Sequence, residues 1–150
     1  MAQGIFRIKG LEGTLELGRR LGRSIEGPAV VELQGDLGAG KTHFVKGLAE
    51  GLDIRQEVTS PTFALANFYE GPRLSLHHLD GYRLEDTEEA RMAGLEEILQ
   101  EAAVAAVEWG EVLRPFYTYP LIQVEILVLG ETEREVRIRY PEGWKGEMLR

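Results

Sequence analysis

Gly35-Asp36-Leu37-Gly38-Ala39-Gly40-Lys41-Thr42 is the stretch that decides the fold; it follows an apolar run at 29–33 and precedes a helix-like segment at 43–52. It matches the phosphate-binding pattern G-x-x-x-x-G-K-[ST] in the strand–loop–helix order that this loop requires. Glycines let the backbone curl so that several N–H groups face one anion, and the helix N-terminus adds partial positive charge. About one random chain in 300 of this length and composition would match. The stretch therefore predicts a nucleotide-binding loop.

Two side chains of this loop have specific chemistry. Lys41 can reach β- and γ-phosphate oxygens, which gives it a binding and a catalytic role, and the Thr42 hydroxyl can ligate Mg²⁺. ATP and Mg²⁺ are the expected cofactors. The predicted nucleotide-binding residues are Asp36, Leu37, Gly38, Ala39, Gly40, Lys41, Thr42 and His43.

Length and composition limit the class of protein. A chain of 150 residues predicts a single domain, 1–150, that buries about 70% of its unfolded surface. The net charge of −8 argues against a protein that grips nucleic acid by neutralising its phosphates. Cysteine is absent, which excludes disulfides and thiolate metal sites. Without a membrane-length apolar run or a signal-peptide core, the simplest expectation is a soluble cytoplasmic protein.

Hydrophobic periodicity predicts an α/β fold of the P-loop NTPase type, with a mainly parallel sheet, flanking helices and a C-terminal antiparallel hairpin. A helix begins at Lys41 and ends near Gly51, and the hairpin should extend the sheet with antiparallel strands. The other predicted helices span 11–25 and 86–100, and the predicted strands span 5–9, 29–33, 64–69, 74–79, 102–107, 121–129 and 133–140.

Two carboxylates follow predicted strands. Asp80 comes after the apolar strand 74–79, where a P-loop enzyme holds Mg²⁺, although an Asp here could instead cap a turn. Glu108, at the end of the next strand, could ligate the metal and orient or deprotonate water, or could be a structural carboxylate paired with Arg83 or another base. Because the carboxyl ends of parallel strands meet at one edge, Asp80, Glu108 and the loop should lie together.

Other polar and aromatic residues give weaker signals. Thr62, with Ser60, lies in a polar loop that could contact the γ-phosphate or simply connect two elements. Trp109 would ordinarily be core or partner surface. His77 and His78 alternate sides of a strand, so they cannot chelate one ion together.

Four motifs in order resemble the TsaE (YjeE) family of bacterial tRNA threonylcarbamoyladenosine biosynthesis ATPases. They are the phosphate loop, Ser-Pro-Thr-Phe at 60–63, His-Leu-Asp-Gly-Tyr-Arg-Leu at 78–84 and Glu-Trp-Gly-Glu at 108–111. The resemblance covers about residues 11–140. The chain departs from the family pattern at three positions, where His43 replaces a second Thr, Gly81 a Leu and Gly110 a Pro.

The resemblance implies an ATPase in the pathway that attaches threonylcarbamoyl to an adenosine beside the tRNA anticodon. Such a protein acts on a complex of the partner proteins TsaB and TsaD, which nucleotide turnover resets, so that contact with tRNA is indirect. Asp80 would then serve the metal and hydrolysis. Thr62, Glu108 and Trp109 would complete the active edge and the partner face.

Three other interpretations share the phosphate loop. A small-molecule kinase usually carries an Arg-rich lid, and only Arg83 and Arg91 lie between Asp80 and Glu108. A GTP switch needs Asn-Lys-x-Asp, but the single asparagine, Asn67, precedes Phe. A nucleotide-gated adaptor that barely hydrolyses ATP overlaps the favoured hypothesis, and turnover with and without partners separates the two.

Overall fold

The computed structural model describes residues 2–36, 39–59, 61 and 65–144. A seven-stranded mixed sheet with flanking helices forms the described structure. Its strands are β1 (Ala2–Lys9), β2 (Ala29–Gln34), β3 (Ala66–Tyr69), β4 (Leu76–Asp80), β5 (Val104–Glu108), β6 (Leu121–Val128) and β7 (Glu133–Tyr140). Its helices are α1 (Gly10–Ser24), α2 (Lys41–Gly51), α3 (Thr87–Met92) and α4 (Leu95–Gln100), and a 3₁₀ turn spans Arg114–Phe116.

The strand order is β1-β7-β6-β2-β5-β4-β3. The four central strands β6, β2, β5 and β4 are parallel to one another, whereas β7 pairs antiparallel with β6 and β1, and β3 pairs antiparallel with β4. The C-terminal hairpin is thus confirmed, but the expected mainly parallel sheet is a mixed one, because three of its six strand pairings are antiparallel. The expectation that both hairpin strands would join the sheet antiparallel was wrong, since β6 lies parallel to β2 after a crossover long enough to reverse the chain.

The single helix expected at 86–100 was also wrong, because the structure has two six-residue helices there. Asp86 caps α3 by accepting a hydrogen bond from the backbone N–H of Glu89 at 2.8 Å. Gly94 then takes φ +84° as the N-cap of α4. A left-handed residue at this point turns the chain, and glycine adopts that conformation without a Cβ penalty.

Helices α1 and α2 approach each other backbone to backbone. Gly18 and Gly22 of α1 face Gly47 and Gly51 of α2, and a Cβ added at any of the four would collide with main-chain atoms of the other helix. The glycines that weaken α1 as an isolated helix are therefore what allows it to pack. Because α2 begins at the phosphate loop, this contact fixes the loop against α1.

The two faces of the sheet carry separate apolar cores. Side chains of α1 and α2 pack on one face, against residues such as Leu33 and Ala106. Side chains of α3, α4 and the 3₁₀ turn cover the other, against Val30 and Val107. No helix in the described part of the chain is long and apolar enough to cross a membrane.

A buried carboxylate interrupts the second core. Glu32, on the central strand β2, is fully buried and accepts hydrogen bonds from Arg114 at 2.8 and 3.1 Å and from the Tyr117 hydroxyl at 2.8 Å. Burial opposes ionisation of Glu32, but the hydrogen bonds from Arg114 and Tyr117 outweigh it and lower its pKa. This contact ties the segment after β5 to the centre of the sheet.

Replacing this carboxylate should cost stability in a pH-dependent way. We expect Glu32→Gln to lower the free energy of unfolding by about 1.5 kcal/mol at pH 7, because a charge-assisted pair is lost while half-exposed Arg114 remains solvated. A carboxyl group whose pKa is lower in the folded than in the unfolded protein contributes fully to folding stability above its unfolded pKa of 4.5. It loses that contribution as the pH falls further. Urea unfolding at pH 7 and pH 3 checks both effects.

Glu125→Gln is the matched control, since Glu125 pairs with Arg137 at 3.8 Å and is only partly buried. Its removal should change the free energy of unfolding by less than about 0.5 kcal/mol. An equal loss in both variants, or a loss for Glu32→Gln that does not shrink in acid, would contradict the structural role given to Glu32.

Candidate functional site

A cavity of about 640 Å³ lies beyond the carboxyl ends of the parallel strands. Among the described residues that the sequence predicted for the site, Asp36 does not line this cavity, and those that do are Ala39, Gly40, Lys41, Thr42, His43, Asp80, Glu108 and Trp109. A larger groove of about 920 Å³ runs beside the far end of α2, but none of the predicted site residues lines it. The expectation that the loop, Asp80 and Glu108 meet at one edge is confirmed.

The phosphate loop ends in a conformation suited to an anion. Gly40 takes φ +106° as the N-cap of α2, a left-handed geometry that favours glycine. The first N–H groups of a helix have no intrahelical acceptor, so those of α2 point toward the cavity with the positive end of the helix dipole. The loop closes on itself, since Ala39 N–H donates to the Asp36 carbonyl at 3.0 Å.

Lys41 lies across the mouth of this loop. Its side chain is almost buried, and Nζ donates to the Gly35 carbonyl at 2.8 Å while lying 4.4 Å from the centre of the Trp109 ring. Trp109 takes φ +56°, which is rare for an aromatic residue, and its ring also packs 5.1 Å from that of Tyr82. Trp109 thus lines the cavity in a rarely populated backbone conformation and lies against the loop lysine, while its functional role stays a prediction.

Asp80 and Glu108 face each other across two paired strands. They are direct register partners on β4 and β5, and both line the cavity. Asp80 Oδ1 also accepts the N–H of Tyr82 at 2.9 Å, so the carboxylate caps a turn as the alternative interpretation expected. Burial and the neighbouring Glu108 raise the pKa of Asp80. Two close carboxylates in a buried setting would gain from a cation between them.

The partner of Glu108 is not Arg83 but His78, whose Nε2 lies 2.6 Å from Glu108 Oε2. Glu108 is nearly buried, with its side chain 8% exposed. Glu108 is therefore paired with a base, as its structural interpretation predicted. Glu108 also lines the cavity. The two readings of Glu108 are compatible, and its catalytic and metal roles stay predictions.

The oxygen donors of the cavity fit Mg²⁺, which shares its ligands with a nucleotide and water, better than they fit a metal ion bound by protein side chains alone. The described residues contain no group of three or more His, Cys, Asp or Glu that could hold a metal ion. Magnesium is usually bound through one or two carboxylates, water and the phosphates of a nucleotide. Thr42, Asp80 and Glu108 line one cavity and supply that kind of ligand.

Sequence reasoning missed part of the cavity wall. Gly10, Leu11 and Thr14 come from the start of α1, Glu131 and Thr132 from the hairpin turn, and Arg134 from the start of β7. Arg134 donates to the Ala39 carbonyl at 3.2 Å and brings a second cation to the loop. No local motif marks these residues, because they reach the site only through the pairing of β7 with β1.

Comparison with known proteins decides the family. The family model described as threonylcarbamoyl adenosine biosynthesis protein TsaE matches residues 8–136. The chain belongs to the TsaE family. The relation to tRNA threonylcarbamoyladenosine biosynthesis that the four motifs predicted is thereby confirmed.

Individual relatives agree with this membership. The TsaE of Treponema pallidum (strain Nichols) is 43% identical over 85% of this chain and 93% of its own length. The TsaE of Aquifex aeolicus (strain VF5) is 39% identical over 85% of this chain and 89% of its own length. The crystal structure of Bacillus subtilis YdiB superposes with a TM-score of 0.75 at 31% identity, covering 99% of this chain and 91% of YdiB.

The departures from the usual TsaE pattern have structural explanations at two positions. A Cβ at Gly81 would lie 2.5 Å from the Trp109 carbonyl oxygen, and one at Gly110 would collide with the Tyr117 hydroxyl and Glu32. Both glycines therefore permit close approaches beside the site. His43 lines the cavity at the start of α2. The predicted site residues Leu37, Gly38 and Thr62, with Ser60, lie outside the described residues.

Proposed function

We propose that the chain is a Mg²⁺-dependent P-loop ATPase that supports threonylcarbamoyladenosine modification of tRNA in the cytoplasm. One observation carries the proposal. A G-x-x-x-x-G-K-[ST] loop at a helix N-terminus faces two carboxylates from neighbouring parallel strands across one cavity. That arrangement suits a nucleoside triphosphate and its metal.

Each side chain has a defined task in this proposal. Lys41 binds the β- and γ-phosphates together with the first N–H groups of α2. Thr42 and Asp80 hold Mg²⁺, which neutralises charge on the phosphates when bound. Glu108 orients the water that attacks the γ-phosphorus, so that the bond to the β-phosphate oxygen breaks and ADP and inorganic phosphate leave.

The proposed partners are TsaB and TsaD, with tRNA contacted only through them. The net charge of −8 supports indirect contact, because tight tRNA binding requires many cations against the phosphates. Tyr82 and Trp109, an aromatic pair at the mouth of the cavity, lie where a partner could sense the nucleotide. Tyr82 is 60% exposed, so it is open to such contact.

Asp80→Ala should separate binding from hydrolysis. Lys41 and the α2 N-terminus remain, so we expect the affinity for ATP to change less than about 3-fold. Hydrolysis should fall about 10- to 100-fold because the metal loses its positioning group. Titration with a fluorescent ATP analogue and single-turnover release of phosphate measure the two quantities.

Asp86→Ala is the control for that experiment. Asp86 caps α3 and lies outside the cavity, so its removal tests whether losing a capping carboxylate near β4 alone slows hydrolysis. Wild-type turnover by Asp80→Ala would show that Asp80 has no role in the site.

Reconstitution of tRNA modification tests the biological role. Purified TsaB, TsaD, tRNA and the threonylcarbamoyl donor are incubated with the wild-type chain, with Lys41→Ala or with neither. We expect repeated rounds of modification with the wild-type chain and no more than one round per complex otherwise. Equal modification in all three reactions would refute the proposed function.

Product analysis separates the other functions that share the loop. A kinase would yield a phosphorylated nucleoside or metabolite, whereas the proposed enzyme yields only ADP and inorganic phosphate. An adaptor would bind ATP with the same residues but show no turnover even when TsaB and TsaD are present.

A further inference from the structure

His78 is a buried polar side chain to which the proposed function assigns no role. It lies on β4 two residues before Asp80 and is completely inaccessible to solvent. Its Nδ1 has no hydrogen-bond partner among the described residues. An imidazole with one unsatisfied nitrogen is costly in a core that a leucine could fill. Packing alone therefore does not explain a histidine here.

The register of the sheet places His78 on the same face as the two site carboxylates. Asp80 on β4 is paired with Glu108 on β5, and His78 is paired with Ala106. Residues two apart on a strand share a face, so His78, Asp80 and Glu108 all lie on the side that carries α2. Side chains in the diagonal position can reach each other, and His78 Nε2 approaches Glu108 Oε2 to 2.6 Å.

We propose that His78 is a positioning residue that donates an Nε2–H hydrogen bond to Glu108 and thereby fixes that carboxylate for its task in the cavity. The proposal rests on the proposed function, since it gives His78 a purpose only if Glu108 acts on a ligand. With Oε2 held by His78, Oε1 is the oxygen that remains for water or metal. A side chain that hydrogen-bonds a ligand-binding group from the side away from the ligand fixes the orientation of that group in this way.

His77 supplies a natural control one residue earlier. It lies on the opposite face of β4, with its ring 4.8 Å from that of Phe68 and its Nε2 3.5 Å from Glu101. It is almost as buried as His78, but its carboxylate neighbour is Glu101, which does not line the cavity, whereas the neighbour of His78 is Glu108, which does. A general effect of losing a buried histidine from β4 would therefore appear in both positions, whereas a positioning effect would appear only at 78.

Kinetics of four proteins test the proposal: wild type, His78→Leu, His78→Gln and His77→Leu. His78→Leu should lower kcat for ATP hydrolysis about 10- to 100-fold while KM and nucleotide affinity change less than about 3-fold. His78→Gln, whose side-chain amide can place an N–H near the same point, should recover most of that loss. His77→Leu should retain wild-type kcat.

A second measurement needs neither nucleotide nor activity. Ring ¹⁵N shifts of His78 in the nucleotide-free protein should show a protonated Nε2 and a bare Nδ1, and Glu108→Ala should change the Nε2 signal. Thermal melting of each variant establishes that it is folded before its rate is compared. If His78→Leu does not fold, His78→Gln and the ring shifts still decide the question.

The proposal is overturned if Nε2 is bare, because a bare nitrogen cannot donate to a carboxylate. It is equally overturned if folded His78→Leu hydrolyses ATP like the wild type, or if His77→Leu loses as much activity. A wild-type protein without ATP hydrolysis in the presence of TsaB and TsaD would instead refute the proposed function. In that case the ring shifts would still report whether His78 holds Glu108.

Discussion

Lys41→Ala should weaken ATP binding by about 100-fold and leave no measurable hydrolysis. The ammonium group supplies charge-assisted hydrogen bonds to phosphate oxygens, each of which is worth about 1.5–3 kcal/mol. In the structure Nζ already lies at the loop, 2.8 Å from the Gly35 carbonyl, so no rearrangement of the helix is needed to present it. Equilibrium binding of a fluorescent ATP analogue with Mg²⁺ measures the loss.

Two further variants separate charge from packing. Lys41→Met keeps an unbranched stem against the Trp109 ring, so it should bind ATP as poorly as Lys41→Ala but melt closer to the wild type. Lys46→Ala removes a lysine from the same helix on the side away from the cavity and should leave ATP affinity unchanged. Tight ATP binding by folded Lys41→Met would show that this loop is not the nucleotide site.

Gly47→Ala should destabilise the protein by about 2 kcal/mol, opposite in sign to what helix propensity alone predicts. Alanine in a helix interior is about 1 kcal/mol better than glycine. At Gly47, however, the added Cβ would collide with the Leu15 carbonyl oxygen of α1. Overpacking against rigid backbone costs about 3 kcal/mol, which outweighs the gain. The melting temperature should fall by about 4–8 °C.

Gly27→Ala is the matched control, because a Cβ at Gly27 would meet no atom within 4 Å. Its stability should stay constant or rise slightly as the unfolded chain loses freedom. Calorimetry of both variants at one pH makes the comparison. A stabilised Gly47→Ala protein would show that α1 and α2 can separate without loss, and that their close approach is unimportant for stability.

The site was predictable from sequence where chemistry and spacing are local. The loop 35–42 carries its own signature, and Asp80 and Glu108 follow from one rule, that parallel strands end at a common edge. The hairpin was predictable from the alternation of Val136, Ile138 and Tyr140, all of which are buried. Each of these signals is contained in a short segment.

Features that depend on distant partners were not predictable in this way. Residues 86–100 contain helix-favouring residues on both sides of Gly94, and whether Gly94 interrupts the helix depends on how α3 and α4 pack. The direction of β6 depends on the path of the crossover before it. The contact between His78 and Glu108 requires the register of β4 on β5, which no local pattern specifies.

The contacts of Lys41 affect how nucleotide affinity should be understood. Its ammonium group is bonded to the Gly35 carbonyl and lies against the Trp109 ring before any phosphate arrives. A ligand that draws Nζ toward itself gives up part of these contacts, so the measured affinity is the net result of an exchange. Because the contact with Trp109 is among those given up, binding of a ligand at the loop is coupled to the environment of the Trp109 indole at the protein surface.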